Sequence, residues 1–230
     1  MALGAVTAIT LLLFIPLVAL GEAPVSALLN RGGRLASSLL ENAGDPSGVL
    51  RNEMYSMCWG LPAAVLAVGF GVHRNWRESL DRLGMVRLSA RQIGMALALT
   101  AVVFTLIGGF DLIISHVWDW FHWTTTAGKD YEAMFQAFSS PMGAVVLGIT
   151  AGFGEEVVIR GILQPRLGIF LSNLYFTALH AYQYHWDALC SVFVFGLLLG
   201  LIRKKNSTSV CVLVHGGYDF VSMMIDVLSK

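Results

Sequence analysis

The sequence predicts an all-α fold, a polytopic transmembrane helical bundle of about seven spans (six to eight). Three observations carry this. Of the 230 residues, 56% are hydrophobic and 13% charged, about half the ~25% charged residues of a soluble domain. The apolar residues fall in long blocks near the ~20 residues a membrane helix needs. No linker rich in Pro, Gly or Ser and no internal repeat divides the chain, so residues 1–230 read as a single transmembrane domain. Helix is the default because an open sheet edge cannot satisfy its backbone in lipid. Net charge is zero, which gives no reason to expect a nucleic-acid partner.

The first block, Ala2–Leu20, lacks a basic leading region and matches the spanning length, so it reads as a retained helix rather than a cleaved signal peptide. The mixed segment Gly21–Glu53 holds LASSLL and predicts an interfacial helix. Further spans are predicted at Met54–Val72, Ile93–Phe110, Pro141–Gln164, Leu167–Trp186, Ala188–Ile202 and Ser207–Leu228. Gly148-x-x-x-Gly152 and Gly196-x-x-x-Gly200 place small residues on one helix face. They predict that the fourth and sixth spans pack inside the bundle.

Basic residues set the orientation. Arg74, Arg77, Arg82, Arg87 and Arg91 crowd the link after the second span, Arg166 follows the fourth, and Arg203, Lys204 and Lys205 follow the sixth. Alternating seven spans puts these links on one side, the cytoplasmic side by the positive-inside rule. The link Asp111–Ser140, with Asp111, Asp119, Asp130 and Glu132 against one lysine, falls opposite. Arg31, Arg34 and Arg51 in the first link run against this pattern, offset by Glu22, Glu41, Asp45 and Glu53. The expected setting is a multi-pass protein of a prokaryotic inner membrane. Cys58, Cys190 and Cys211 are odd in number, lie in apolar runs and show no metal-binding spacing, so they read as packing residues.

The charges within the apolar blocks carry the chemistry. Glu155, Glu156 and Arg160 stand in AGFGEEVVIRG. An ionisable group at the bilayer centre costs at least ~2.5–3.5 kcal/mol, so it is placed there with a partner. Glu156 and Arg160 are four apart, acid first, the favourable order for a helical ion pair. Glu155 is rotated by ~100° and has no partner in sequence. An interfacial charge cluster at a helix end explains the segment equally well in isolation. The fifth span adds Phe176-Thr-Ala-Leu-His180 and the seventh His215-Gly-Gly-Tyr-Asp219, each with its end residues on one face. Polar residues on three spans are expected to meet in one interior cavity. At 1.5 Å per residue Glu155 lies roughly 14 Å from Gln164, His215 roughly 12 Å from Ser207 and His180 roughly 20 Å from Leu167, so the third depth overlaps only loosely.

A desolvated carboxylate and an imidazole around a water are the parts of a general-base hydrolase, and facing donors can hold an oxyanion. G-x-S-x-G is absent. Cys211 lies four residues before His215, but nothing in the sequence would orient it as a nucleophile.

Glu155-Glu156-Val-Val-Ile-Arg160-Gly161, Phe176-x-x-x-His180 and His215-x-x-x-Asp219, in this order on successive spans, resemble the CPBP family. This family comprises the CAAX prenyl proteases and their bacterial homologues, intramembrane glutamic proteases also labelled abortive-infection proteins. The resemblance covers about residues 141–228. It implies a metal-independent endopeptidase without a cofactor, acting on a peptide or protein that is prenylated or membrane-associated. It further implies that Glu155 and His180 activate water, that His215 and the residue at position 219 form the oxyanion hole, and that Glu156, Arg160 and Phe176 support the site. Two positions depart from the pattern: Ile159 replaces a frequent phenylalanine, and Asp219 replaces asparagine. An ionised aspartate cannot donate to an oxyanion, so Asp219 is expected either to be protonated or to orient His215. Two other readings stay open. A zinc protease would use a glutamate with His180 and His215. A non-catalytic scaffold or immunity-type binding protein would use the polar cluster to hold the bundle together.

Overall fold

The computed structural model describes residues 46–126 and 135–230. The predicted helix Ala2–Leu20, the LASSLL segment, and Lys129, Asp130 and Glu132 of the acidic link lie outside the described residues. The helices are α1 (Pro46–Ala67), α2 (Trp76–Leu83), α3 (Ala90–Phe121), α4 (Pro141–Glu156), a π-helical segment (Val157–Leu163), α5 (Gln164–Leu179), α6 (Trp186–Lys205) and α7 (Thr208–Ser229). Among the described residues, four stretches are long and apolar enough to cross a membrane: Ala90–Phe121, Pro141–Leu179, Trp186–Lys205 and Thr208–Ser229. The described residues therefore form an all-helical fold with helices fit for a membrane, and the expectation of seven spans goes beyond these four. The predicted span Met54–Val72 falls on α1, which is 22 residues long but is not among them, because Arg51, Glu53 and Ser56 dilute its apolar run.

Local sequence sets the helix ends. Asn75 and Glu78 form a reciprocal capping box at α2, and Ser89 and Gln92 form another at α3. Ser140 and Ser207 accept the N–H groups of Gly143 and Val210 at the starts of α4 and α7. Each cap satisfies amides that a helix N-terminus leaves bare. The capped α3 runs on to Phe121, so Asp111 and Asp119 lie on this helix and not in the link where the sequence suggested them. Asp111 accepts a hydrogen bond from Ser191 of α6. Asp187 accepts from the backbone and hydroxyl of Thr126 at 2.7 and 2.6 Å.

The stretch Pro141–Leu179 is half buried, against 17% for Ala90–Phe121, and forms the centre of the bundle. It is not one rod. Glu155 and His180 are 25 residues apart and would be separated by ~37 Å along a straight helix, yet their side chains lie 3.9 Å apart. The chain therefore doubles back between them. The break is at Gly168, whose φ of 75° and ψ of 177° are non-helical. This is a region essentially closed to residues with a Cβ. Glu155 precedes the break by thirteen residues and His180 follows it by twelve, so equal arms bring them level. The two depths that overlapped only loosely in sequence are thereby reconciled. Helix α5 ends at Leu179, short of the predicted Trp186, and His180–Tyr182 continue as a 3-10 turn.

The glycine motifs are used as close contacts. A Cβ on Gly148 would stand 2.5 Å from the Gly216 carbonyl, and one on Gly152 2.7 Å from the Val212 carbonyl, so α4 and α7 touch backbone to backbone. Gly196 makes room for Asn173, and Gly200 for Ile169, which seats α5 on α6. The α2–α3 link is tied to the start of α7: Thr208 donates to the Leu83 carbonyl at 2.6 Å, and Ser209 donates to that of Val86 at 2.9 Å.

Candidate active site

Helix α4, the turn after α5 and helix α7 supply the predicted residues. Glu156 ends α4 and is fully buried. Its Oε2 accepts from Nε of Arg160 at 3.2 Å, the i,i+4 pair expected from sequence. Its Oε1 accepts from Nδ1 of His215 at 3.0 Å. On the far side of that ring, Nε2 lies 3.4 Å from Oδ2 of Asp219, one turn along α7. Arg160, Glu156, His215 and Asp219 therefore form one continuous charged row through the interior. The close α4–α7 approach at Gly148 and Gly152 positions it, since Gly152 and Glu156 share one face of α4. The guanidinium of Arg160 also lies over the Phe176 ring, 5.3 Å from its centre, a cation–π contact.

Glu155 stands apart from this row. Its side chain is 36% accessible as a whole, but its Oε2 is buried without a hydrogen-bond partner among the described residues, and Nε2 of His180 lies 3.9 Å from it, beyond direct hydrogen-bonding range. The tautomer of His180 follows from its other nitrogen. Nδ1 lies 2.9 Å from the Phe176 carbonyl, which can only accept, so Nδ1 carries a proton. In the neutral ring Nε2 then turns its lone pair toward Glu155. Two acceptors facing each other at this separation suit a molecule that donates to both.

Phe176 connects the two imidazoles. Its ring centre is 4.7 Å from that of His180 and 6.1 Å from that of His215. Ile159 is buried in the apolar core, as an apolar replacement for phenylalanine should be. Cys211 is buried, and its thiol donates to the Leu199 carbonyl at 3.5 Å, away from His215. Among the described residues, no three His, Cys, Asp or Glu side chains are arranged to hold a metal ion.

Three contacts were not read from the sequence. Glu156 holds His215, a pairing across 59 residues with no local signal. Phe195 of α6 meets the His215 ring edge-on at 4.9 Å, and as one aromatic in an apolar run it carries no signal either. Tyr184 stacks parallel on His180 at 6.0 Å, and its place four residues after the histidine could have shown it.

The fold and site define a helical membrane protein with a buried acid–imidazole row beside an accessible acid–imidazole pair. Residues 137–221 match the family model of Rce1-like proteins, type II CAAX prenyl endopeptidases. The matched region begins at the turn before α4, ends two residues past Asp219, and is consistent with the resemblance to the CPBP and CAAX prenyl protease family carried by the motifs. The likeness is to endopeptidases, which act on a peptide or protein. No curated protein and no solved structure matches the chain.

Proposed function

We propose that the protein is a metal-independent intramembrane endopeptidase in which Glu155 and His180 jointly activate water. The observation that carries this reading is their 3.9 Å approach across the hairpin, with the fixed Nδ1 proton of His180 leaving Nε2 as an acceptor. A water donating to the carboxylate and to Nε2 loses proton density to both as it attacks the scissile carbonyl. The carboxylate takes the proton and returns it to the leaving amine. General-base help of this kind contributes ~10²–10⁴ in rate. Nε2–H of His215 turns from Oδ2 of Asp219, 3.4 Å away, to donate to the developing oxyanion, while Nδ1–H stays on Glu156. Asp219 therefore serves through His215 and not as an independent amide donor. Glu156 and Arg160 fix the His215 ring, and Phe176 spaces the two imidazoles. The substrate is a prenylated or otherwise membrane-associated peptide, and the basic links face the cytoplasm of a prokaryotic cell.

The test is cleavage of a membrane-anchored peptide by the purified protein in lipid. Glu155→Gln and His180→Ala should each reduce it by at least ~10²-fold while the protein stays folded. Cleavage retained in Glu155→Gln removes this carboxylate from the reaction. The aspartate at position 219 favours one other reading, a non-catalytic binding protein. In that case partner binding would be unaltered by Glu155→Gln and no cleavage would be found in the unmodified protein.

A further inference from the structure

The turn that carries His180 is held from outside by Thr126, which follows the end of α3. Helix α5 ends at Leu179, His180–Tyr182 form a 3-10 turn, and α6 starts at Trp186. At one end of this connection Gln183 and Tyr184 donate from their amides to the His180 carbonyl at 2.9 and 3.1 Å. At the other end His185 stands at the N-cap of α6, and its side chain makes no cap bond. In a capping box the side chain at the third helical position would take the N-cap amide. Here that position is Ala188, which has nothing to reach back with, and Thr126 takes the amide instead. Its Oγ1 accepts from the His185 N–H at 2.9 Å and donates to Oδ1 of Asp187 at 2.6 Å. Its own amide donates to Oδ2 of Asp187 at 2.7 Å. The hydroxyl thus acts as donor and acceptor at once, and the two bonds to the carboxylate are short and charge-assisted.

The clasp bears on His180 through Tyr184. The amide of Tyr184 is bonded to His180 and the next amide to Thr126, so the tyrosine backbone is pinned on both sides. Its ring lies parallel to the His180 imidazole, with 6° between the planes and 6.0 Å between the centres. The imidazole has one bond to its own helix, from Nδ1 to the Phe176 carbonyl at 2.9 Å. One bond fixes the proton but lets a ring pivot about it, and Nε2, on the far side, moves most. Nε2 is the atom that faces Glu155. The rings of Phe176 and Tyr184, packed against the imidazole, limit this pivot.

We infer that Thr126 is a positioning residue for the reaction: by clasping His185 and Asp187 it seats Tyr184 against His180 and so sets Nε2 in its place opposite Glu155. The inference rests on the proposed use of His180 to activate water. Misplacing a reacting group by ~1 Å costs about 10²-fold in rate. The loss falls on turnover, because the clasp touches the ring that works on water and leaves the substrate's own contacts alone. A role in stability alone would lower the melting temperature and leave turnover per folded molecule unchanged.

The experiment places Thr126→Val, Thr126→Ser and Asp187→Asn in the full chain in lipid and reads cleavage kinetics beside nitrogen NMR spectra of the histidine rings, with the His180 signals assigned by their loss in His180→Ala. Valine keeps the shape of threonine without its hydroxyl, and serine keeps the hydroxyl. Asparagine at 187 meets two donors with one acceptor and one donor. Thr126→Val and Asp187→Asn should lower kcat at least about tenfold, with KM unchanged as for an interaction that acts in the transition state. Thr126→Ser should restore kcat to within about threefold of the parent, since it keeps the same bonds. The His180 ring signals should move in the first two variants and return in the serine variant, whereas Thr125→Val should leave both readouts as they are. Unchanged kcat and unmoved His180 signals in both Thr126→Val and Asp187→Asn overturn the clasp, as does a rise in KM alone, and neither result touches the roles of Glu155 and His180. Cleavage retained in Glu155→Gln overturns those roles instead, and the His180 signals then decide the clasp: movement in Thr126→Val with return in Thr126→Ser upholds it, and no movement refutes it.

Discussion

Glu155 and Glu156 are adjacent carboxylates on which the same substitution should act in opposite ways. Glu156 is fully buried and has two charged partners, Arg160 at 3.2 Å and His215 at 3.0 Å. Glu156→Gln removes the only carboxylate paired with Arg160 among the described residues, and Nη1 and Nη2 of that arginine already have no hydrogen-bond partner there. Leaving a buried cation uncompensated costs ~3–5 kcal/mol. For a chain of this size each kcal/mol is worth roughly 2–4 °C, so the melting temperature should fall by roughly 6–20 °C. Glu155→Gln leaves this row intact. Its Oε2 is buried without a hydrogen-bond partner among the described residues and stands 3.9 Å from His180, so the substitution removes no hydrogen bond and stability should change by less than ~1 kcal/mol. The assay is thermal unfolding of both variants in the same detergent, read by circular dichroism of the helices. A Glu156→Gln protein that melts with the parent, or a Glu155→Gln protein that melts far below it, would refute the division into a structural and a reactive carboxylate.

Gly168→Ala should destabilise by ~1–3 kcal/mol, because the strain lies in the backbone and no atom stands within 4 Å of the added methyl. Gly108→Ala, on a helix with equally open space, should be neutral or stabilising by up to ~1 kcal/mol, and thermal unfolding compares the two. Asp219→Asn keeps an acceptor near Nε2 of His215 and adds a donor. Peptide cleavage should therefore change by no more than about tenfold, the equivalent of one hydrogen bond, whereas a complete loss would require the aspartate's charge. A chelator should leave cleavage unaltered, and inhibition reversed by added zinc would transfer the reaction to a metal.

The membrane class was legible in the sequence because it rests on totals and run lengths, which folding cannot change. The Glu156–Arg160 pair was legible because helical spacing alone brings i and i+4 together. Both histidine motifs had their local partners for the same reason: His180 bonds the Phe176 carbonyl, and His215 meets Asp219. Helix lengths were harder to read. Asp111 looked like the edge of a link because charge normally ends a lipid-facing run. In the structure it has a partner on α6 and the helix continues past it.

By itself the sequence determined which side chains would be expensive to bury, and therefore that they must find one another. The tertiary structure alone decided how they did so. One glycine with a backbone conformation closed to other residues folds the central helix back on itself and sets Glu155 level with His180. Two glycine contacts bring α4 against α7 closely enough for Glu156 to hold His215. A sequence records which atoms a helix turn places together. Contacts across 25 or 59 residues depend on where the chain reverses and how near two backbones can approach, and these are properties of the packed whole.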